Sequence, residues 1–443
     1  MLNKQYQSKQ NLWLWFLWAN WVIVFVFWFS GSGVDILDGW AKTSIAFGRL
    51  AGLSAAYMIL LQFFFMGRMP WLERYFGLDG LSRIHHSNGK KGLILLLVHP
   101  ILISFGYAGL SDTGLIDQFL ALDYVALAFL GLVLFVIAVV SSLYIVSKRL
   151  KYESWYFVHL IVYLAMFFSF WHQIEIGHDL TTSQIFYWYW ILLYASVFTS
   201  HIAFRFIRPV LKYKKHGFYV KDIVRENSKA VSVYIGGKNL KEFDIQPGQF
   251  MIFRFLSKGF WWQAHPFSLS MAPNGTELRI TIKELGDFTS KIKNLKIGTG
   301  VFIDGPYGIF TDFYGVSNKV LMIAGGIGIT PIRSLMDKML AEGKQVTLLY
   351  ANQDEESILF KKEIDDLAQR YNAKVIHVLS GDPSYEGEKG YVDENKIKKY
   401  ISDIKSQTVY ICGPVPMMDS VKSHLSKLGV LPQNIISEQF YLG

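Results

Sequence analysis

A multi-domain fold is predicted, with a six-helix transmembrane bundle followed by a small antiparallel β-barrel and then an α/β domain. Three observations predict it. Long apolar runs rich in Leu, Phe, Trp and Tyr fill residues 11–207, short alternating segments separated by turns follow Lys212, and strand alternates with helix after Gly308. The apolar fraction of 51% hides this division, because charges come every few residues only in the second half. Boundaries are expected at 1–210, 211–315 and 316–443.

A helix needs about 20 mostly apolar residues to cross a bilayer. Residues 11–30, 43–66, 90–108, 121–147, 154–176 and 184–207 approach that. One set of connections is basic, with Lys4 and Lys9, then Arg68, Arg74, Arg83, Lys90 and Lys91, then Lys148, Arg149 and Lys151, and finally Arg205, Arg208, Lys212, Lys214 and Lys215. The other set is acidic, with Asp35, Asp38, Asp112, Asp117, Glu175 and Asp179. This alternation places a multi-pass protein in the cell membrane with both termini and the whole second half cytoplasmic. The net charge of +9 reflects that orientation rather than nucleic-acid binding. The single cysteine, Cys412, excludes an intramolecular disulfide framework, and the first apolar run, without a small-residue cleavage site, reads as a retained anchor.

Histidine is costly in a bilayer. His85 and His99 are 14 residues apart in the third span, which on a helix is about 21 Å of rise and within about 40° of a whole number of turns. His159 and His172 are 13 apart in the fifth, with about 19.5 Å of rise but an angular mismatch of about 140° that tilt or a local irregularity must absorb. Imidazoles at matching depths can hold two haems, His85 with His159 on the cytosolic side and His99 with His172 on the outer side. His86 competes with His85 but turns away from the shared face. His178 and His201 read as interfacial.

The soluble half begins with strand-like segments at 218–224, 230–235 and 250–255. His265, Pro266, Phe267 and Ser268 can shape a slot for a flavin ring and offer it a hydroxyl. The turn from Gly286 to Ser290, with Asp287, Phe288 and Thr289, opens a helix whose free amides suit a pyrophosphate. Further on, the strand 320–324 leads into Gly325, Gly326, Ile327, Gly328, Ile329, Thr330 and Pro331, where glycines admit a phosphate close to the backbone. This is not G-x-G-x-x-G. A later strand, 408–411, ends at Cys412, Gly413 and Pro414, where Cys412 would face a nicotinamide or else be a small buried thiol.

Taken in order, His-Pro-Phe-Ser-Leu-Ser, Ile-Lys-Glu-Leu-Gly-Asp-Phe-Thr, Gly-Pro-Tyr-Gly, Gly-Gly-Ile-Gly-Ile-Thr-Pro and Cys-Gly-Pro resemble ferredoxin-reductase-type flavin and nucleotide domains. Preceded by histidine-bearing spans, the chain resembles the ferric reductase and NADPH oxidase family, including its bacterial members. The resemblance implies an antiparallel β-barrel flavin domain and an α/β nucleotide-binding domain. It also implies that His265, Pro266, Phe267 and Ser268 line FAD, and that Ile282, Lys283, Gly286 and Thr289 reach its phosphates or ribityl chain. Gly325, Gly326, Gly328, Thr330, Pro331, Cys412, Gly413 and Pro414 would hold the nucleotide. Glu438, Gln439 and Phe440 look like the family's end, whose aromatic stacks on the flavin where nicotinamide must enter, which makes Phe440 and Cys412 the candidate catalytic pair. After the strand 346–350 stand Ala351, Asn352, Gln353, Asp354, Glu355 and Glu356 instead of an arginine for a 2′-phosphate, with Lys361 or Lys362 as conceivable substitutes; NADH and NADPH both stay open.

The expected function is electron transfer from cytosolic NADH or NADPH through FAD and two bis-histidine b haems to an outside acceptor, foremost O2 giving superoxide. A ferric or other metal chelate is the second acceptor, and a haem-binding membrane sensor with an inactive reductase domain is the third reading. Lys42 and His178 could favour an anionic product, and Asp112, Asp117 and Asp179 could attract metal. Beyond the small-molecule donor and acceptor and the lipid bilayer, no nucleic acid and no obligatory protein partner is expected.

Overall fold

The computed structural model describes residues 2–110, 124–143, 152–315 and 317–438. These group into two compact units, one of Ser8–Met69 with Gly80–Arg205, the other of Met1–Gln7, Pro70–Asp79 and Phe206–Gly443.

The first unit is helical. Its elements are α1 (Leu2–Ser30, shared at its start with the other unit), α2 (Trp40–Phe65), α3 (Pro70–Ala108), α4 (Val125–Ser141), α5 (Tyr152–His159), α6 (Val162–Glu175) and α7 (Gln184–Ile202). Among the described residues five helices are long and apolar enough to cross a membrane, Ser8–Ser30, Trp40–Phe65, Pro70–Ala108, Ser154–Glu175 and Gln184–His216, and Val125–Ser141 is a shorter apolar helix. The flanks of the expected fourth span, with Lys148, Arg149 and Lys151, and the loop holding Asp112 and Asp117 lie outside the described residues.

The unit is apolar inside and out, as an element surrounded by hydrocarbon must be. Phe63, Phe186, Trp190 and Tyr194 fill its interior, while Trp15, Ile101, Phe129 and Leu192 are exposed. Interior polar groups are bonded, as at Trp28 Nε1 to the Ala46 carbonyl (2.8 Å) and Ser44 Oγ to the Leu102 carbonyl (2.8 Å). Gly77 interrupts α3 with φ 66°, a left-handed value that favours glycine. His85 and His99 both follow that break on uninterrupted helix.

In the second unit α8 (Arg208–His216) leads into β1 (Tyr219–Asn227), β2 (Ala230–Gly236), β3 (Phe250–Phe255), β4 (His265–Ser268), β5 (Leu278–Lys283) and β6 (Val301–Tyr307). The expected closed barrel is corrected here. The strands form two three-stranded antiparallel sheets, β1-β2-β5 and β4-β3-β6, with bridges between them at Leu269–Ile280 and Tyr219–Gly300 and backbone bonds such as Val301 N to the Phe218 carbonyl (2.8 Å) and Ser270 N to the Arg279 carbonyl (2.8 Å). Packing adds to these bonds, since Val233 and Ile280 of one sheet share a core with Met251, Phe253 and Ile303 of the other.

The remaining strands are β7 (Lys319–Gly325), β8 (Gln345–Asn352), β9 (Lys374–Leu379), β10 (Glu388–Lys389), β11 (Thr408–Cys412) and β12 (Ile435–Ser437). They make one parallel sheet in the order β10-β9-β8-β7-β11-β12. Strand order reverses between β7 and β11, and the crevice beyond the carboxyl ends of strands at such a point is where ligands bind in open α/β sheets. Helices α9 (Ile329–Ala341), α10 (Lys361–Tyr371) and α11 (Val415–Lys427) are amphipathic and bury their apolar faces, as Leu335 and Met418 do.

Helices α4 and α6 approach closely, because a Cβ on Gly131 would lie 2.2 Å from Ser169 Oγ and 2.9 Å from the Ala165 carbonyl oxygen. Gly131→Val should therefore cost roughly 1–3 kcal/mol through overpacking, seen as a lower melting temperature of the detergent-solubilised chain; an unchanged melting curve would show that the helices separate freely.

Candidate functional site

The four span histidines form two pairs. The rings of His85 and His159 are 6.0 Å apart between centroids, and those of His99 and His172 are 6.5 Å apart. Between His159 and His172 lies the local irregularity anticipated there, a turn at Leu160 and Ile161 where α5 ends and α6 begins. His86 is exposed and forms no part of either pair.

What lies behind each ring decides which nitrogen is available. His99 Nδ1 is 2.8 Å from the Gly48 carbonyl oxygen, an acceptor only, so Nδ1 carries the hydrogen and Nε2 keeps its lone pair. His159 Nδ1 is 3.0 Å from Ser142 Oγ. That hydroxyl already donates to the Ala138 carbonyl (2.8 Å) and receives Trp155 Nε1 (3.1 Å), so it can only accept from His159. His172 Nδ1 is buried with no hydrogen-bond partner. Two imidazole–metal bonds of about 2 Å each, with roughly 1 Å from each nitrogen to its ring centre, put centroids about 6 Å apart. Both pairs therefore fit axial ligation of one iron each. Among the described residues no group of three or more His, Cys, Asp or Glu is placed to hold a bare metal ion.

Gly52 makes room for the outer ring, since a Cβ there would lie 2.7 Å from His99 Nδ1. Arg49, one turn earlier and inside the second span, donates from Nη1 to Ser32 Oγ at 2.9 Å. Gly52, Arg49 and Ser142 escaped the sequence reading. Only Arg49 carried a signal, a cation within an apolar run.

Other expectations about these residues change. His201 is buried rather than interfacial, with Nδ1 at 2.8 Å from the Phe63 carbonyl oxygen and Nε2 at 2.8 Å from Tyr163 OH, which makes it a pin between helices. Asp179 is buried too, accepting the Ser32 amide at 2.7 Å, and so is not presented to a metal. Lys42 is engaged with Asp38 at 3.0 Å, whereas His178 is exposed.

In the second unit, β3 holds β4 by pairing Phe253 with His265 and Phe250 with Ser268. His265 stacks on Phe288 at 3.8 Å, Ser268 is buried, and Pro266 and Phe267 are half-buried. Thr289 Oγ1 receives the amides of Leu285 (2.9 Å) and Gly286 (3.0 Å), so its hydroxyl shapes the turn it stands in. Arg254 on β3 has a buried Nε without a hydrogen-bond partner, a cation that suits a phosphate-bearing cofactor and that the sequence did not single out.

A cavity of about 570 Å³ opens at the switch point of the parallel sheet. Gly325, Gly326 and Ile327 form its floor, Pro414 and Met417 one wall, Asn352 and Asp354 another, and Lys229 and Lys283 bring positive charge from the flavin-side sheets. Both polar atoms of the Asn352 side chain are buried without hydrogen-bond partners, and they are suited to a ribose or base. Thr330 bonds back to the Ile327 carbonyl (3.0 Å), and Pro331 is buried behind the turn. Gly328 packs against Cys412, whose thiol is buried, and burial followed by the neighbouring Glu438 carboxyl pushes that thiol well above its ordinary range. Gly413 packs on Gly325 beside Met417. Ile282 is buried in the core, and Gly286 stands in open space.

Glu438 is itself buried, with neither carboxylate oxygen bonded, and burial followed by Asp79 and Glu73 raises it well above the carboxylate range. Phe440 lies outside the described residues. On the cavity wall, Asp354 accepts Ser357 N (2.9 Å) and Oγ (2.5 Å), and these bonds hold it below its ordinary value, an anion. Lys361 is tied to Asp365 at 3.2 Å rather than free for a 2′-phosphate.

Three family models match the chain in this order: the ferric reductase like transmembrane component at residues 51–170, an FAD-binding domain at 216–311 and the oxidoreductase NAD-binding domain at 322–423. An NADH-cytochrome b5 reductase 1 of Laccaria bicolor is 33% identical over 181 residues, covering 39% of this chain and 59% of that protein. The ferredoxin reductase component of a 3-ketosteroid-9-alpha-monooxygenase from Mycobacterium tuberculosis is 32% identical over 201 residues, covering 44% and 54%. A solved FAD/NAD binding domain of a nitric oxide dioxygenase from Vibrio cholerae matches with 25% identity and TM-score 0.45 over 50% of this chain and 97% of that one. The chain spans a little over half the length of these two relatives.

A Cβ on Gly328 would meet the Cys412 carbonyl oxygen at 2.3 Å. Gly328→Ala should push the two turns apart and weaken NADH binding by about tenfold, ~1.4 kcal/mol, with FAD content unchanged; a titration of flavin reduction against NADH measures it.

Proposed function

We propose that this chain, a flavin- and nicotinamide-dependent oxidoreductase with the ferric-reductase-like architecture of a membrane component followed by ferredoxin-reductase-type domains, carries electrons from cytosolic NAD(P)H through FAD and two b haems to an acceptor outside the cell. The paired imidazoles carry this reading, at 6.0 and 6.5 Å between centroids and about 21 Å apart along α3. The orientation follows from the basic and acidic connections.

When bound, FAD accepts two electrons together and releases them singly, and bis-histidine haems accept them one at a time. The chain's own residues bind, orient and insulate. His85 with His159, and His99 with His172, would each hold one iron through Nε2, with the Gly48 carbonyl and the Ser142 hydroxyl fixing the rings of His99 and His159. The apolar interior around Phe63, Phe186 and Trp190 keeps water out. Pro266, Phe267 and Ser268, with Arg254, would seat the flavin. Gly325, Gly326, Thr330, Gly413 and Pro414 would hold the nucleotide, and Phe440 would stand at the entrance of the nicotinamide.

O2, giving superoxide, is the favoured acceptor. Asp179 is locked to Ser32 and offers no metal site, while Arg49 adds a positive charge to the helix that carries Gly48 and Gly52, which favours an anionic product. NADH is the favoured donor, because the Asp354 anion would repel a 2′-phosphate and accept a ribose hydroxyl; a relative named for NADH points the same way.

Anaerobic NADH added to the FAD-supplemented protein should reduce two b-type centres, and readmitted oxygen should yield superoxide in a trap. Material that binds no porphyrin, or one only, would sink the relay. His99→Leu should remove one of the two haems and abolish oxygen consumption while flavin reduction survives. Asp354→Ala should shift the NADH-to-NADPH ratio of kcat/KM toward NADPH by about tenfold; an unmoved ratio places the discrimination elsewhere.

A further inference from the structure

Glu363, the third residue of α10, lies outside the nucleotide cavity yet is tied to two arginines on two other elements. Arg279 of β5 gives it a forked contact, Nη1 to Oε1 at 2.7 Å and Nη2 to Oε2 at 2.9 Å. Arg333 of α9 places Nε 2.9 Å from Oε2, an ion pair whose N–H is not aimed at the oxygen. Burial pushes the Glu363 carboxyl up, but the Arg279 bonds and charge, joined by Arg333, hold it below its ordinary value.

Arg279 is fixed from the flavin side. Its Nε meets Ser270 Oγ at 3.2 Å, its Nη2 donates to the Ser270 carbonyl at 2.8 Å, and its guanidinium lies 4.6 Å over the Phe360 ring of the other domain. Two further bonds cross beside it, Ser334 Oγ to the Met271 carbonyl and Asn227 Nδ2 to the Glu356 carbonyl, both at 3.0 Å.

Each element that meets at Glu363 runs into a wall of the cavity. Strand β5 continues from Arg279 to Lys283, α9 follows the floor Gly325–Ile327, and α10 follows the turn containing Asp354. A half-buried carboxylate between two buried guanidiniums adds little net stability compared with apolar packing. What a forked, stacked arginine does supply is a fixed angle and distance between the bodies it joins.

We propose that Glu363, with Arg279 and Arg333, is a positioning group for hydride transfer, setting the register in which the nucleotide domain offers the nicotinamide to the flavin. It touches neither reactant. The proposal rests on the nucleotide-to-flavin reading, in which the C4–H bond of the reduced nicotinamide breaks, an N5–H bond forms on the flavin, both electrons travel with the hydrogen, and oxidised nicotinamide remains.

The full-length, FAD-loaded protein, Glu363→Gln and a triple variant with Arg279→Met, Glu363→Leu and Arg333→Met would be compared by anaerobic stopped-flow reduction with NADH. Both variants should reduce flavin between about tenfold and a hundredfold more slowly, while the NADH concentration for half-maximal rate moves less than about threefold. The long-wavelength charge-transfer absorbance formed by NAD+ with reduced enzyme should weaken, and FAD content should hold. A wild-type reduction rate in the triple variant, or a slowdown accounted for entirely by lost FAD or lost NADH affinity, overturns the proposal. If Glu363→Gln does not fold, the triple variant alone decides. Wild-type enzyme whose flavin neither nucleotide reduces would instead defeat the underlying reading.

Discussion

A neutral imidazole inside hydrocarbon has one nitrogen that must give up a hydrogen bond and another that must find something to hold. The membrane unit is organised around that demand. Gly48 and Ser142 take the Nδ1 hydrogens of His99 and His159, which leaves the lone pair of each ring on Nε2. The packing follows from the same requirement. Gly52 is bare because the His99 ring occupies the place of its Cβ, and α5 breaks before α6 because an unbroken helix would aim His159 and His172 to different sides. Replacing these details with generic apolar packing would leave helices that still cross the bilayer but without the paired imidazoles.

The soluble unit solves a different problem, bringing two ligand-binding domains to one working geometry. The two small sheets give β3 and β4 a rigid seat, and the parallel sheet provides a crevice where its strand order reverses. Between them, lysines from the flavin side reach into the cavity of the nucleotide side, and a half-buried carboxylate with two buried guanidiniums ties strand to helices. Charge within this unit is therefore used for alignment, while burial provides the cohesion.

Much of this was legible from residue order. Apolar runs longer than 20 residues or so have few alternatives to crossing a membrane, and 14 residues between His85 and His99 place both on one helical face whatever surrounds them. The glycine turn at Gly325 and the motif His265 to Ser268 are local, and the strand expected at 320–324 runs from Lys319 to Gly325. The closed barrel was not foreseeable as two sheets, because alternation in a strand shows which side chains are buried but not whether the last strand bonds to the first. His201 was read as interfacial from its place near a span end, and Asp179 as a loop carboxylate that could attract metal. Each is instead buried through a partner more than a hundred residues away, Phe63 for one and Ser32 for the other.

By itself the sequence determined the order of the parts, the spacing of the histidines along their helices and the places of the glycine-bearing turns, since all of these depend on spacing along one chain. Only the tertiary structure decided what fixes each ring, where Arg254 and Glu363 find their surroundings, and that Asp354 lines the cavity while Lys361 pairs with Asp365. Those are contacts between segments far apart in sequence, and a side chain's chemistry is set by what folding brings against it.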